Sequence, residues 1–341
     1  MNAGLDSAAT TRVTSADARG RPLRDLRLSV IDRCNLRCQY CLPAELFGED
    51  FKFRPINELL TFDELVAVAR AFVGLGVEKL RLTGGEPLLR PKLPDLIARL
   101  RGLDPMLDIA LTTNGVRLAA LAGGLRESGL NRVNVSLDAL DPAVAARMAG
   151  RKHDPLQVVE SVAVAEAAGL GVKLNAVIKR GVNDSEILPL AKLCRERGWT
   201  LRFIEYMDVG ATNGWRREDV VTGSEIRAML DPLVPLPPKS AGDVARVYRY
   251  ADGSGEVGFI ESVSAPFCGG CTRARVSSTG ELFTCLFASK GQSLKPWLAT
   301  GELDAQLARI WSRRADRYSE VRGESQRDKS RAPEEMWRLG G

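Results

Sequence analysis

The chain has 341 residues, 45% of them hydrophobic and 27% charged, with 48 Lys and Arg against 43 Asp and Glu for a net charge of +5. That is enough apolar material for one large core or two, which excludes a disulfide-stapled miniprotein, and the charge excess is too small to mark a nucleic-acid binder by itself. No apolar run reaches the roughly eighteen residues needed to cross a bilayer, and the N-terminal residues lack an apolar export segment, so the expectation is a cytoplasmic protein with no membrane span and no nucleic-acid partner.

In chain order, residues 1–20 (Ala, Ser, Thr, Asp and Arg without apolar patterning) read as a flexible tail. Short β-type runs then occur at 26–31, 79–83, 107–113, 132–137, 172–178 and 200–206. Amphipathic stretches lie between them at 61–73, 92–101, 155–168 and 186–197, opened by Asp or Thr and closed by Gly74, Gly102, Gly169 and Gly198. Six βα-type units predict an α/β fold, a partial (β/α)6 TIM-type barrel over residues 21–238. The run Leu233 to Pro238 reads as a stiff connector. Beyond it, strand-like pieces at 245–250, 257–261, 273–277 and 281–284, with turns at Asp252-Gly253 and Thr279-Gly280, predict a C-terminal extension over 239–341 that ends in Gly340-Gly341.

Six of the seven cysteines form two triplets: Cys34, Cys38 and Cys41 after the first strand, and Cys268, Cys271 and Cys285 in the extension. Each is one ligand short of the four that a structural zinc site or a ferredoxin-type cluster uses, and three thiolates on a cubane leave one iron open. The single histidine, His153, completes at most one triplet. Cys194 lies in an apolar helical run and reads as core. So many thiols without a secretory signal point to ligation in a reducing compartment.

The Cys-x3-Cys-x2-Cys spacing, with Tyr40 before the third cysteine, resembles the signature of radical S-adenosylmethionine enzymes. In that chemistry the open iron chelates the amino and carboxylate groups of the methionine moiety, so that one electron cleaves the sulfonium bond. One βα unit on, Thr83-Gly84-Gly85-Glu86-Pro87 resembles the segment that holds the S-adenosylmethionine amino group. Its glycines let backbone approach a ligand, and free carbonyls plus Glu86 suit an ammonium. Ser136 and Met207 fall at the carboxyl ends of the fourth and sixth strands, where barrel sites gather, and match superfamily positions that contact the nucleoside.

On the second strand Lys79, Arg81 and Thr83 share one face, which points inward if Leu80 and Leu82 face the helices. Lys173 and Asn175 repeat the parity on the fifth strand, Arg202 lies on the sixth, and Arg27 precedes the first cysteine. Together they predict a polyphosphate pocket.

The second triplet has Cys-x2-Cys, then thirteen residues before the last cysteine, with Arg273-Ala274-Arg275 between. With Asp32-Arg33-Cys34-Asn35, Thr112-Thr113-Asn114-Gly115, Asn134 to Asp138, Arg202 to Asp208 and the terminal Gly-Gly, this pattern resembles the GTP 3′,8-cyclase family (molybdenum cofactor biosynthesis protein A) from about Arg21 to Gly341. The resemblance implies a lyase with two [4Fe–4S] clusters and S-adenosylmethionine. Cys34, Cys38 and Cys41 would hold the first cluster, with Tyr40, Gly85, Ser136 and Met207 around S-adenosylmethionine. Cys268, Cys271 and Cys285 would hold the second, whose open iron meets the guanine edge of GTP. It also implies substrate contacts from Arg27, Lys79, Arg81, Thr112, Lys173, Arg202, Arg273 and Arg275, and catalytic roles for Arg273, Arg275, Gly340 and Gly341. Implied partners are GTP, an electron donor such as flavodoxin or ferredoxin, and the downstream cyclic pyranopterin monophosphate synthase; the chain would act as a monomer or homodimer. Two alternatives stay open on sequence alone: another radical S-adenosylmethionine enzyme with an auxiliary cluster, of the peptide or sulfatase maturase type, or a non-catalytic iron–sulfur or zinc protein.

Overall fold

A computed structural model describes residues 15–240, 242–322 and 333–340. Strand β1 (Asp25–Ser29) opens a succession of βα units. Helix α1 (Phe62–Gly74) starts at Thr61, whose hydroxyl accepts from the Glu64 amide while the Glu64 carboxylate accepts from the Thr61 amide; this capping box satisfies donors that a first turn otherwise leaves open. Next come β2 (Lys79–Thr83), α2 (Leu93–Arg101), β3 (Asp108–Thr113), α3 (Leu118–Glu127) and β4 (Arg132–Ser136). Helices α4 (Pro142–Ala149) and α5 (Pro155–Ala167) each pair an N-cap aspartate, Asp141 or Asp154, with proline at the first helical position, where the missing N–H costs nothing. Then follow β5 (Gly171–Ile178), α6 (Ile187–Arg197) and β6 (Thr200–Glu205).

Strands β1 to β6 pair in parallel and in sequence order, the expected partial (β/α)6 barrel. Alternation along each strand separates the two faces. Leu26, Leu28, Leu80, Leu82, Ile109, Leu111, Val133 and Val135 all enter the core, where truncating one Leu to Ala typically costs about 2–5 kcal/mol. Arg81 and Thr83, on the opposite parity to Leu80 and Leu82, line the interior. Cys194 is buried in the same core, as its apolar setting predicts.

The C-terminal part is not a separate sheet. After α7 (Gly223–Met229) come β7 (Leu233–Pro235), β8 (Arg246–Tyr250), β9 (Glu256–Ile260), β10 (Arg273–Val276), β11 (Glu281–Phe283) and β12 (Gln292–Ser293), then α8 (Lys295–Thr300), α9 (Leu303–Ser312) and α10 (Met336–Leu339). β9 joins β6 and β10 joins β1, both in parallel, so twelve strands run in the order β12-β11-β10-β1-β2-β3-β4-β5-β6-β9-β8-β7. The expected connector at 233–238 is in part a strand, with Leu233, Val234 and Pro235 opposite Tyr250, Arg249 and Tyr248. Its prolines suit an edge strand as well as a linker, and local composition does not distinguish the two.

The expected flexible tail also divides. Residues 1–14 lie outside the described residues, whereas 15–20 are packed: the Ser15 amide donates to Leu75 O, the Leu23 amide donates to Ser15 O, and Asp17 is buried. Polar composition concealed this because Asp17 is buried as an ion pair. Among the described residues no helix is long and apolar enough to cross a membrane.

Candidate active site

The barrel interior holds a cavity of about 280 Å³ whose walls include all six triplet cysteines. Cys34, Cys38 and Cys41 occupy the loop that follows β1. Arg37, itself buried, closes that loop: Nε donates to Phe47 O at 2.5 Å and Nη1 to Cys34 O at 3.0 Å and Leu36 O at 2.9 Å. The amides of Cys41 and Leu42 both donate to Cys38 O at 2.9 Å, and the Arg37 amide donates to Ala149 O, tying the loop to the end of α4.

The glycine pair at the end of β2 does more than line the cavity. A Cβ on Gly84 would collide with Ile31 O, and one on Gly85 with the carbonyls of Asp32 and Arg33. The amides of Gly85 and Glu86 donate to Ile31 O and Arg33 O at 2.8 Å each. The close approach therefore brings backbone against the cysteine loop itself. Glu86 is likewise already engaged: its carboxylate accepts from the Leu88 amide at 3.0 Å, the Asn114 amide at 2.8 Å and Thr113 Oγ1 at 2.7 Å, and burial pushes it up to about 7. It fastens the end of β2 to that of β3.

Tyr40, Gly85, Ser136 and Met207 all line the cavity. Tyr40 donates to Asp138 Oδ2 at 2.9 Å, and Asp138 Oδ1 accepts from the Val177 amide, so the aromatic ring is held from β5. Ser262 Oγ donates to Met207 Sδ at 3.5 Å.

A row of guanidiniums crosses the interior. In register, Arg27 on β1 stands between Arg81 on β2 and Arg275 on β10. Burial first, then mutual repulsion, lowers Arg27 well down and Arg275 to about 10; burial with Arg132 nearby takes Arg81 to about 10, and burial with Arg81 and Arg132 takes Arg202 to about 9. Guanidiniums keep their charge at neutral pH, so the shifts register an unfavourable crowding that an anion would relieve. Arg202 Nε, Arg275 Nη1, Thr112 Oγ1 and Asn175 Oδ1 are buried without hydrogen-bond partners among the described residues, a set of donors and acceptors suited to a polar ligand. Lys79 and Lys173 do not line this cavity. Lys79 stands in register with Asp25 and Asp108, nearer the strands' N-terminal ends. Burial, then Arg202, Arg132, Lys239 and Arg81, brings Lys173 down to about 8.

The second triplet stands at the opposite mouth. β10 runs parallel to β1; Cys271 precedes β10, whereas Cys34 follows β1. The two are separated by the length of a five-residue strand, roughly 17 Å. Cys285 returns to the same mouth because β11 runs antiparallel to β10. Burial raises the thiols of Cys34 and Cys285 to about 11 and those of Cys38 and Cys41 as well, whereas Cys271, which burial alone would raise, is held at about 7 by Arg273 and Arg314.

The C-terminal tail reaches the first mouth. Trp337 meets the rings of Phe47, Phe51 and Phe53 edge-on at 5.9–6.0 Å between centroids. Gly340, at φ 68°, lies between Thr83 and Ser29. Gly341 lies outside the described residues.

Sequence reading missed Arg37, Arg132, Asn134, Asp138 as the Tyr40 partner, Trp337 and Arg314. Inward parity along β4 from Ser136 would have found Asn134, which accepts from Arg202 Nη2 at 2.5 Å, and Arg132; nothing local marked Trp337 or Arg314.

Among the described residues no three His, Cys, Asp or Glu side chains are gathered tightly enough for a single metal ion. The two triplets line a shared space, and their soft thiolate donors suit iron–sulfur clusters. Residues 28–194 match the family described as Radical SAM superfamily, and residues 199–320 the one described as Molybdenum Cofactor Synthesis C. A crystal structure of Streptococcus suis SuiB bound to S-adenosylmethionine shares the fold, with a TM-score of 0.58 and 14% identity over 93% of this chain and 70% of that one. Barrel, open cysteine triplet and glycine segment define a radical S-adenosylmethionine enzyme, with S-adenosylmethionine and [4Fe–4S] clusters as cofactors. The GTP 3′,8-cyclase of Xanthomonas campestris pv. campestris is 53% identical over 95% of this chain and 97% of its own length. Those of Acidothermus cellulolyticus and Staphylococcus haemolyticus are 52% and 46% identical over 90% of this chain, covering 88% and 93% of their own lengths. The chain belongs to the GTP 3′,8-cyclase family, which sets aside the maturase and non-catalytic alternatives.

Proposed function

We propose that this chain converts GTP to 3′,8-cyclo-7,8-dihydro-GTP, the first step of molybdenum cofactor biosynthesis, in the cavity between the two triplets. The observation that carries the reading is that both triplets and a row of buried, mutually repelling arginines line one space of the barrel.

Cys34, Cys38 and Cys41 would hold one cluster and Cys268, Cys271 and Cys285 the other, each with one iron left for a non-protein ligand. When bound, the first cluster and S-adenosylmethionine would supply a 5′-deoxyadenosyl radical able to remove the 3′ hydrogen of GTP, after which C3′ would bond to guanine C8, and one electron with one proton, the latter taken up at N7, would complete the product. Tyr40, Gly85, Ser136 and Met207 position S-adenosylmethionine. Arg27, Arg81, Arg202, Arg273 and Arg275, with Thr112, hold the triphosphate by charge-assisted hydrogen bonds, and Lys79 and Lys173 add charge from the strands' N-terminal side. A carbon radical reacts with most C–H bonds, so selectivity rests on this positioning and on exclusion of water by the tail at the first mouth. A flavodoxin or ferredoxin supplies electrons, cyclic pyranopterin monophosphate synthase consumes the product, and the chain works in the cytoplasm as a monomer or homodimer.

The test is anaerobic reconstitution followed by incubation with S-adenosylmethionine, reductant and GTP deuterated at C3′. Deuterium in 5′-deoxyadenosine together with cyclised nucleotide is expected; 5′-deoxyadenosine without deuterium would reopen the substrate.

A further inference from the structure

Beneath the second triplet lies an ion network made by the N-terminal segment and the end of α9. The side chains of Asp17 and Arg314 are 0% and 1% exposed, and that of Arg21 is 3% exposed. Arg314 addresses four acceptors: Nη1 donates to Asp17 Oδ2 at 3.0 Å and Cys271 O at 2.8 Å, Nε to Thr284 O at 2.9 Å, and Nη2 to Cys271 Sγ at 3.1 Å. Arg21 donates through Nε to Asp17 Oδ2 at 2.7 Å, and through Nη1 to Cys268 O at 2.8 Å and Asp316 O at 2.7 Å. Two arginines joined by one carboxylate thus touch Cys268, Cys271 and the carbonyl immediately before Cys285.

Burying two cations and an anion is costly, and such a network is seldom a net gain for stability over apolar packing. The network's geometry points elsewhere. The Arg314 guanidinium carbon lies over the Trp311 ring, 4.6 Å from its centroid, and Nη1 donates to Asp17, so ring and carboxylate together hold the group against Cys271. At the first triplet the Cys34 sulfur accepts from neutral backbone amides, that of Leu36 at 3.4 Å. A cationic donor on a ligating sulfur favours the more negative, reduced form of an iron–sulfur cluster, and hydrogen bonds to the sulfurs are a main control of its potential.

We propose that Arg314, clamped by Asp17, is a positioning residue that raises the reduction potential of the cluster held by Cys268, Cys271 and Cys285. This rests on the assignment of a cluster to that triplet and does not depend on the substrate.

The experiment is an EPR-monitored reductive titration of the full chain carrying Cys34→Ala, Cys38→Ala and Cys41→Ala, so that only the second cluster contributes, with iron counted in each sample. Arg314→Gln is expected to keep its iron and to shift the reduced-to-oxidised ratio at fixed potential at least tenfold toward oxidised, a fall of about 59 mV for a one-electron couple. Arg314→Lys, which keeps the charge but not the fork, should fall between; Asp17→Asn should shift the same way as Arg314→Gln. An unmoved midpoint in iron-replete Arg314→Gln overturns the proposal. So does loss of iron in both Arg314 variants with an unmoved midpoint for what remains, since the role is then structural. A parent protein that binds no iron at all removes the cluster assignment itself, whereas failure of GTP turnover leaves this readout intact.

Discussion

Gly340 lies against Thr83 at the end of β2, with no room for a side-chain carbon between them. Its φ of 68° is a second reason for glycine, since a Cβ is strained in the left-handed region. Gly340→Ala should therefore displace the tail from the first mouth without unfolding the barrel. The expected result is a Tm within a few degrees of the parent and cyclised product reduced more than tenfold relative to 5′-deoxyadenosine. Unchanged coupling would remove the tail from the mechanism.

Trp337 anchors that tail through three edge-on rings, contacts worth about 0.5–1.5 kcal/mol each beyond simple burial. Trp337→Ala should release residues 333–340 while the sheet stays intact. Hydrogen exchange reads this directly: protection is lost in the tail and in the loop bearing Phe47, Phe51 and Phe53, and retained in β2 and β3. Protection unchanged in the tail would mean that Glu335, bonded to the Ala211 amide and Thr212 Oγ1, suffices to hold it.

Lys173 predicts a pH dependence for triphosphate binding. Burial and then its cationic neighbours hold it at about 8, below the ordinary lysine value of 10.5. A basic group lowered on folding destabilises the folded state at pH below 8, and that cost fades as pH rises from 8 to 10.5. An anion restores the charge, so binding takes up a proton above pH 8. Affinity for GTP should fall about tenfold between pH 7 and pH 9 by this linkage, and Lys173→Met should flatten the dependence in titration calorimetry. Parallel profiles for both proteins would place Lys173 outside the binding field.

The two triplets should separate by mutation. Cys34→Ala is expected to abolish cleavage of S-adenosylmethionine, while Cys271→Ala keeps uncoupled cleavage and loses cyclisation, both followed by quantifying 5′-deoxyadenosine and nucleotide product in one assay. Equal loss of both activities in Cys271→Ala would contradict the division of labour.

Much of the site was legible because its signals are local. Cysteine spacing within one loop, a glycine pair at a strand end and the two-residue period that sends Leu80 and Leu82 to the core and Arg81 and Thr83 to the interior are all written within a few residues, and the backbone converts each into geometry without help from distant chain. The same period gave Lys79 and Lys173 the inward parity, but not their depth, which depends on where the cavity stops.

The sequence by itself thus determined a six-unit barrel, two open cysteine triplets and a basic interior. Tertiary structure alone decided that β9 and β10 extend that barrel at its two edges, that the triplets face each other from opposite mouths, and which residues hold them in place. Asp17 meets Arg314 across 297 positions and Arg21 meets Cys268 across 247. Such contacts follow from which surfaces the folded sheet brings together for burial, and no local period records them.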